Sequence, residues 1–171
     1  MRALILTGKL AQDIEVFYPL YRMQEEGWKV DIAVNDDVVV EGVYGMKITP
    51  TIDMAGFWIS GFDCLILPGG ARALEYLRQS LRVINIIKSF HSEGKVIGSI
   101  CHGAQLLITA GLVKGRRVSG YYSIRDDIIN AGGEFVDAPF VNDNRIICSP
   151  HYKYLGPWMG EVVREVRFRA K

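Results

Sequence analysis

The run Lys95-Val-Ile-Gly-Ser-Ile-Cys101-His102-Gly103-Ala-Gln-Leu-Leu-Ile108 constrains the fold more than any other part of the chain. An apolar strand pattern stops there at a cysteine, a histidine and a glycine, then resumes at helical spacing. A strand-to-helix turn of this kind is a nucleophile elbow, in which a tight and usually strained backbone exposes the nucleophile. Ser99 and Gly103 supply the small residues on either side, in the pattern small-x-nucleophile-x-Gly. A lone cysteine at a strand end is more often a packing residue, but the turn context favours a reactive Cys101. Unpaired N–H groups at the start of the following helix favour a thiolate, so Cys101 is expected to be far more acidic than a free thiol.

The rest of the chain supplies the sheet that such an elbow needs. Arg2–Thr7 and Lys29–Val34 are expected strands, with a helix over Asp13–Glu26 between them that Gly27 stops. Asp36–Asp53 alternates short β-rich pieces around Gly42 and Gly45, as a hairpin excursion does. Asp63–Leu67 is a further strand ended by Pro68-Gly69-Gly70, Ala73–Phe90 is helical, and Lys95–Ile100 leads into the elbow. Beyond it, Arg116–Ser119 is an expected strand, Ser123–Asn130 a helix, Glu134–Val141 and Arg145–Cys148 a pair of strands, and Tyr154–Arg169 a final helix. The alternation implies an α/β fold, a three-layer sandwich around a mostly parallel sheet, read as one domain over 1–171.

Composition narrows the partners. With 171 residues, 49% hydrophobic and 23% charged, and a formal charge of +1, the chain carries no basic stripe for nucleic acid. No apolar stretch approaches the roughly 20 residues that span a bilayer. Cys64, Cys101 and Cys148 are odd in number and form no CxxC pair, so neither a disulfide framework nor a thiolate zinc site is expected. The expectations are a reducing cytoplasm, no membrane and no metal or other cofactor.

In an open parallel sheet, ligands collect at the carboxyl ends of the strands. Three of those ends deliver an acid, Glu15, the side-chain-free backbone of Gly69 and Gly70, and the pair Cys101 and His102. The N–H groups of Gly70 and His102 are candidates for an oxyanion hole. Taken singly, the glycines also suit a tight turn, and Glu15 a solvated acid on a helix dipole.

Ala3–Thr7, Asp13-Ile-Glu15 with Tyr18-Pro19-Leu20-Tyr21-Arg22, Leu65–Gly70, Ile100–Gly103, Gln105–Gly111 and Ile124–Gly132 together resemble the PfpI branch of the ThiJ/PfpI superfamily across nearly the whole chain. The resemblance implies a flavodoxin-like fold, a reactive elbow cysteine, and a protonated glutamate, here Glu15, bonded to its sulfur. It also implies homo-oligomers, a dimer or a trimer of dimers. Because side chains of successive residues diverge at an elbow, His102 needs a carboxylate to turn it toward the sulfur. The resemblance places that carboxylate on a neighbouring subunit, at Glu75, where a surface helix charge is the competing reading. Tyr121 resembles a pocket-wall tyrosine. Family members include cysteine peptidases or amidases, glyoxalases, deglycases, isocyanide hydratases, chaperones and stress-response proteins, so the fold is better specified than the substrate.

The departures are as informative as the matches. The family usually has an acid where this chain has Gln12, a proline where it has Tyr122, and a Ser-Arg-x-Pro-x-Asp-like run where it reads Ser149-Pro150-His151-Tyr152-Lys153-Tyr154. Gln12, Gly69, Tyr121 and His151 are therefore candidate substrate contacts beside the catalytic candidates Cys101, His102, Glu15 and Glu75. Two functions stay open. One is an enzyme in which Cys101 adds to a small carbonyl or amide, or to a peptide. The other is a redox or stress-response protein in which Cys101 is reversibly oxidised.

Overall fold

Ala3–Leu6 are completely buried in strand β1 (Arg2–Thr7), and a strand covered on both faces reads as an unbroken apolar run. In the computed structural model, which describes residues 1–54, 56 and 58–169, β1 lies inside a six-stranded sheet. The domain reading over 1–171 thus also takes in four positions outside the described residues. β1 pairs in parallel with β2 (Lys29–Val34) on one side and β5 (Cys64–Leu67) on the other. The sheet continues through β6 (Val96–Ile100) and β10 (Ile146–Ser149), both parallel, to an antiparallel edge strand β9 (Val141–Asp143).

From β1 the chain runs through helix α1 (Asp13–Glu25) out to β2, then returns to form β5 on the other side of β1. The order reverses between β1 and β5, and that reversal opens a crevice at the carboxyl ends of the two strands. Helices α2 (Ala71–Leu77) and α3 (Leu81–Ser92) follow β5, and α4 (Ala104–Thr109) follows β6. α5 (Arg125–Asn130) and α6 (Leu155–Arg169) complete the helices. α1 packs on α6, whereas α3 packs on α4, β5 and β6. α1 and α6 thus form one helical group and α3 and α4 another, and the right-handed crossovers usual for parallel strands set such groups on opposite faces, as the expected α/β sandwich requires. Trp158 of α6 is fully buried against the sheet, and its indole N–H donates to the Ile147 carbonyl at 3.0 Å. Among the described residues, no helix is long and apolar enough to cross a membrane.

The excursion over 36–53 holds the expected hairpin, β3 (Val40–Glu41) against β4 (Lys47–Ile48). Its tip is fixed to the start of α1. The buried Asp13 carboxylate accepts the Tyr44 and Met46 N–H groups at 2.8 and 3.0 Å. One expected strand is corrected. Glu134–Val141 splits into β8 (Glu134–Phe135), which pairs in parallel with β7 (Arg117–Val118) as a separate small sheet, and the start of β9, the one of the two that pairs with β10. Pro139 interrupts the segment, and a proline lacks the N–H that a continuous ladder requires.

Candidate active site

Cys101 stands immediately after β6 with φ of +59°, in the left-handed region that a residue with a Cβ rarely adopts. This strain is what the elbow reading requires, and close packing maintains it. A Cβ on Gly103 would lie 2.4 Å from the Leu67 carbonyl oxygen, so only glycine lets the turn pass beneath β5. Gly69 is equally constrained. A Cβ there would fall 2.7 Å from the Glu15 carboxyl and 2.9 Å from the Cys101 Cβ. The two strand ends can approach closely enough to form a site because neither glycine carries a side chain.

Glu15, on the first turn of α1, is wholly buried. Its Oε2 accepts the Gly69 N–H at 2.8 Å, and the carboxyl also interacts with the Cys101 thiol. Oε1 has no other hydrogen-bond partner among the described residues. Burial raises the Glu15 carboxyl to about 7, against the downward pull of the Gly69 N–H and the thiol. The expectation of a carboxyl protonated near neutrality therefore agrees with its surroundings.

The expectation of an unusually acidic thiol does not. Burial pushes the Cys101 thiol up, and the Glu15 charge adds to the rise, while the His102 and Gly70 N–H groups bonded to the sulfur pull it down. The elbow opens into a 3-10 turn over Cys101–Gly103 and then a helix of only six residues, so little helix dipole is available to offset desolvation. Burial thus favours the protonated form of both Glu15 and Cys101.

The N–H groups of Gly70 and His102 both reach the sulfur, as an oxyanion hole beside the nucleophile would. His102 does not turn away from Cys101. Its Nδ1 lies 3.4 Å from Sγ, because the left-handed turn brings the two side chains to one side. Its Nε2 lies 3.3 Å from the exposed Ser123 hydroxyl, a partner that no spacing rule in the sequence indicates. The His102 ring is stacked on Tyr121 at 4.6 Å between centroids, and Tyr121 in turn lies 6.0 Å from His151. Desolvation holds His102 below the usual histidine range.

These groups line a cavity of about 200 Å³ whose wall also includes Gln12, Tyr121, His151 and Tyr152. The structure thus brings together every substrate and catalytic candidate except two. Gly69 lies just behind the wall, bonded to Glu15, and Glu75 sits on an exposed face of α2 with Arg78 and Thr109, outside the cavity of its own chain. His151 Nδ1 accepts the Lys153 N–H at 3.1 Å, which leaves Nε2 to carry the proton of the neutral ring. The Lys153 ammonium lies over the Tyr154 ring at 4.7 Å.

A model of the DJ-1/PfpI family matches residues 1–165. The chain is 39% identical to the deglycase PfpI of Pyrococcus furiosus over 164 residues, covering 96% of this chain and 98% of that one. It is 41% identical to a deglycase of Pyrococcus abyssi over the same shares. Among solved structures, DJ-1beta of Drosophila melanogaster superposes with a TM-score of 0.90 at 24% identity, covering 96% of this chain and 89% of that one, a likeness of fold.

Proposed function

Because this chain belongs to the DJ-1/PfpI family, we propose that it is a cysteine-dependent enzyme that acts on small carbonyl or amide compounds through Cys101, with deglycase-type chemistry as the specific reaction. The observation that carries this reading is the contact between the Cys101 thiol on the cavity wall and the wholly buried Glu15 carboxyl, which burial raises to about 7. Once Glu15 is ionised, it is a base in contact with the thiol. It accepts the thiol proton as sulfur bonds to the carbonyl carbon, the carbon–oxygen π bond opens, and the oxygen is held by the Gly70 and His102 N–H groups. Protonation of that oxygen completes the addition of S–H across C=O, with no oxidant or reductant required. The relatives named deglycases, at about two-fifths identity over nearly the whole chain, favour a carbonyl carried on a glycated amine.

Assembly belongs to the same proposal. The outer nitrogen of His102 faces an exposed hydroxyl, and Glu75 lies exposed and unused by its own cavity, so a neighbouring copy can supply a carboxylate to His102. Three free cysteines suit a reducing compartment, and we place the enzyme in the cytoplasm. The test is turnover of methylglyoxal, glycated amines and peptide amides by the purified protein and by Cys101→Ala. Loss of at least a thousandfold with Cys101→Ala on one of these substrates supports the reading. Equal rates for the two proteins, or no turnover of any substrate together with reversible oxidation of Cys101 by peroxide, would overturn it.

A further inference from the structure

Beside the reactive cavity lies a second and larger groove of about 440 Å³, and the two share Gln12 and Tyr152 as a common wall. Its remaining lining is Ile14 and Phe17 of α1 and Tyr44 and Met46 of the hairpin, with the Asp13 carboxylate beneath. From this continuity we propose that the groove is a subsite for an apolar or aromatic substituent on the carbonyl compound whose reacting carbon sits at Cys101. The inference rests on the cysteine–carbonyl reading above and specifies the substrate class within it.

Three features support the assignment. First, the polar and apolar compartments are segregated. The sulfur, the two N–H donors and both histidines lie on the cavity side of Gln12 and Tyr152, and the aliphatic and aromatic side chains lie on the other. A molecule with a reactive carbonyl at one end and an apolar group at the other fits that division. Second, the charged group of the groove does not repel such a substituent. Asp13 is 2% exposed, and its oxygens are occupied by the Tyr44 and Met46 N–H groups. Third, the groove is preformed. The same two hydrogen bonds hold the hairpin against α1, together with the Val43 N–H donating to the Ala11 carbonyl and the Leu10 N–H to the Glu41 carbonyl, at 2.9 and 2.8 Å. A preformed wall lowers the ordering cost of binding.

Gln12 has a particular place in this arrangement. It stands at the junction of the two compartments and lines both. A neutral amide there lets an apolar group pass without desolvating a carboxylate, a cost that would fall on every substrate with such a tail.

The experiment compares phenylglyoxal with methylglyoxal, two α-oxoaldehydes that differ in the group proposed to enter the groove. In the wild-type protein the ratio of kcat/KM for phenylglyoxal to that for methylglyoxal should exceed one. Met46→Glu, at a side chain exposed enough for a charge to be tolerated, should lower the ratio by about tenfold or more, and Met46→Leu should keep it. In parallel, Cys101 is alkylated with iodoacetamide and with N-phenyl iodoacetamide, a comparison that needs no turnover. If neither aldehyde is consumed but Met46→Glu selectively slows the phenyl reagent, the carbonyl reading fails and the subsite stands. If Met46→Glu changes neither ratio, the subsite is refuted. If it lowers both members of each pair alike and shifts the sedimentation coefficient, the groove is a contact between copies of the chain and the proposal is overturned.

Discussion

Cys101 and Cys148 sit at neighbouring places in the sheet, one just beyond β6 and the other within β10, where Cys148 is in register with Ser99. Both are buried, at 7% and 1% exposure, and burial raises both thiols, Cys148 to about 12. What separates them is the surroundings of the sulfur. Cys148 lies in regular strand beside the Ser119 N–H, whereas Cys101 is forced into a left-handed turn on a cavity wall and touches a carboxyl that titrates near 7. Burial alone makes a thiol inert. On the proposed reading, Cys101 gains reactivity from an adjacent group that can take its proton rather than from a lowered thiol pKa.

The largest test of that contrast is substitution of the two cysteines. Cys101→Ala should abolish turnover of whichever carbonyl or amide the protein consumes, by at least about a thousandfold. Cys148→Ala should leave kcat/KM within about twofold and cost about 1 to 2 kcal/mol in urea unfolding, as a small cavity in a packed strand does. Comparable losses of activity in both would erase the distinction.

Glu15→Gln is next in size. The amide keeps the shape and can still accept the Gly69 N–H, but it cannot take the thiol proton, so kcat/KM at pH 8 should fall about a hundredfold. It should also change stability in the opposite direction. Glu15 is raised in the folded protein from 4.5 to about 7, so its contribution is fully present below about pH 4.5 and is lost as pH rises through about 7. Urea unfolding of the wild type should therefore carry a loss of about 3 kcal/mol across that window that Glu15→Gln lacks.

A smaller effect is expected at Glu75. If a neighbouring copy completes the setting of His102, Glu75→Gln should lower kcat/KM about tenfold, and wild-type activity should fall on dilution as sedimentation shows the assembly dissociating. Activity that is independent of both would leave Ser123 as the partner of His102.

The central strands and the elbow were legible because each rests on a local pattern: apolar runs for β1 and β5, and glycine where Gly69 and Gly103 leave no room for a Cβ. The convergence of Glu15, Gly70 and Cys101 followed from the rule for strand ends. Three things were not legible. The meeting of Ser123 with His102 depends on how the segment after β7 folds back over the elbow, and no periodicity encodes that. The clamp of Asp13 on the hairpin joins residues 31 and 33 positions apart through backbone N–H groups, which carry no side-chain signature. The thiol pKa was misjudged because sequence shows the helix that follows Cys101 but not how short it is or how fully the sulfur is desolvated.

On the proposed reading, Glu15 serves Cys101 as a proton acceptor. The decisive measurement is mass-resolved alkylation of the three cysteines from pH 5 to pH 10, in the wild type and in Glu15→Gln. Cys101 should be labelled well before Cys64 and Cys148, its rate should rise through a step near pH 7, and Glu15→Gln should remove the step. A Cys101 rate that rises only in the alkaline range with Cys148, or that keeps its step in Glu15→Gln, would contradict that reading.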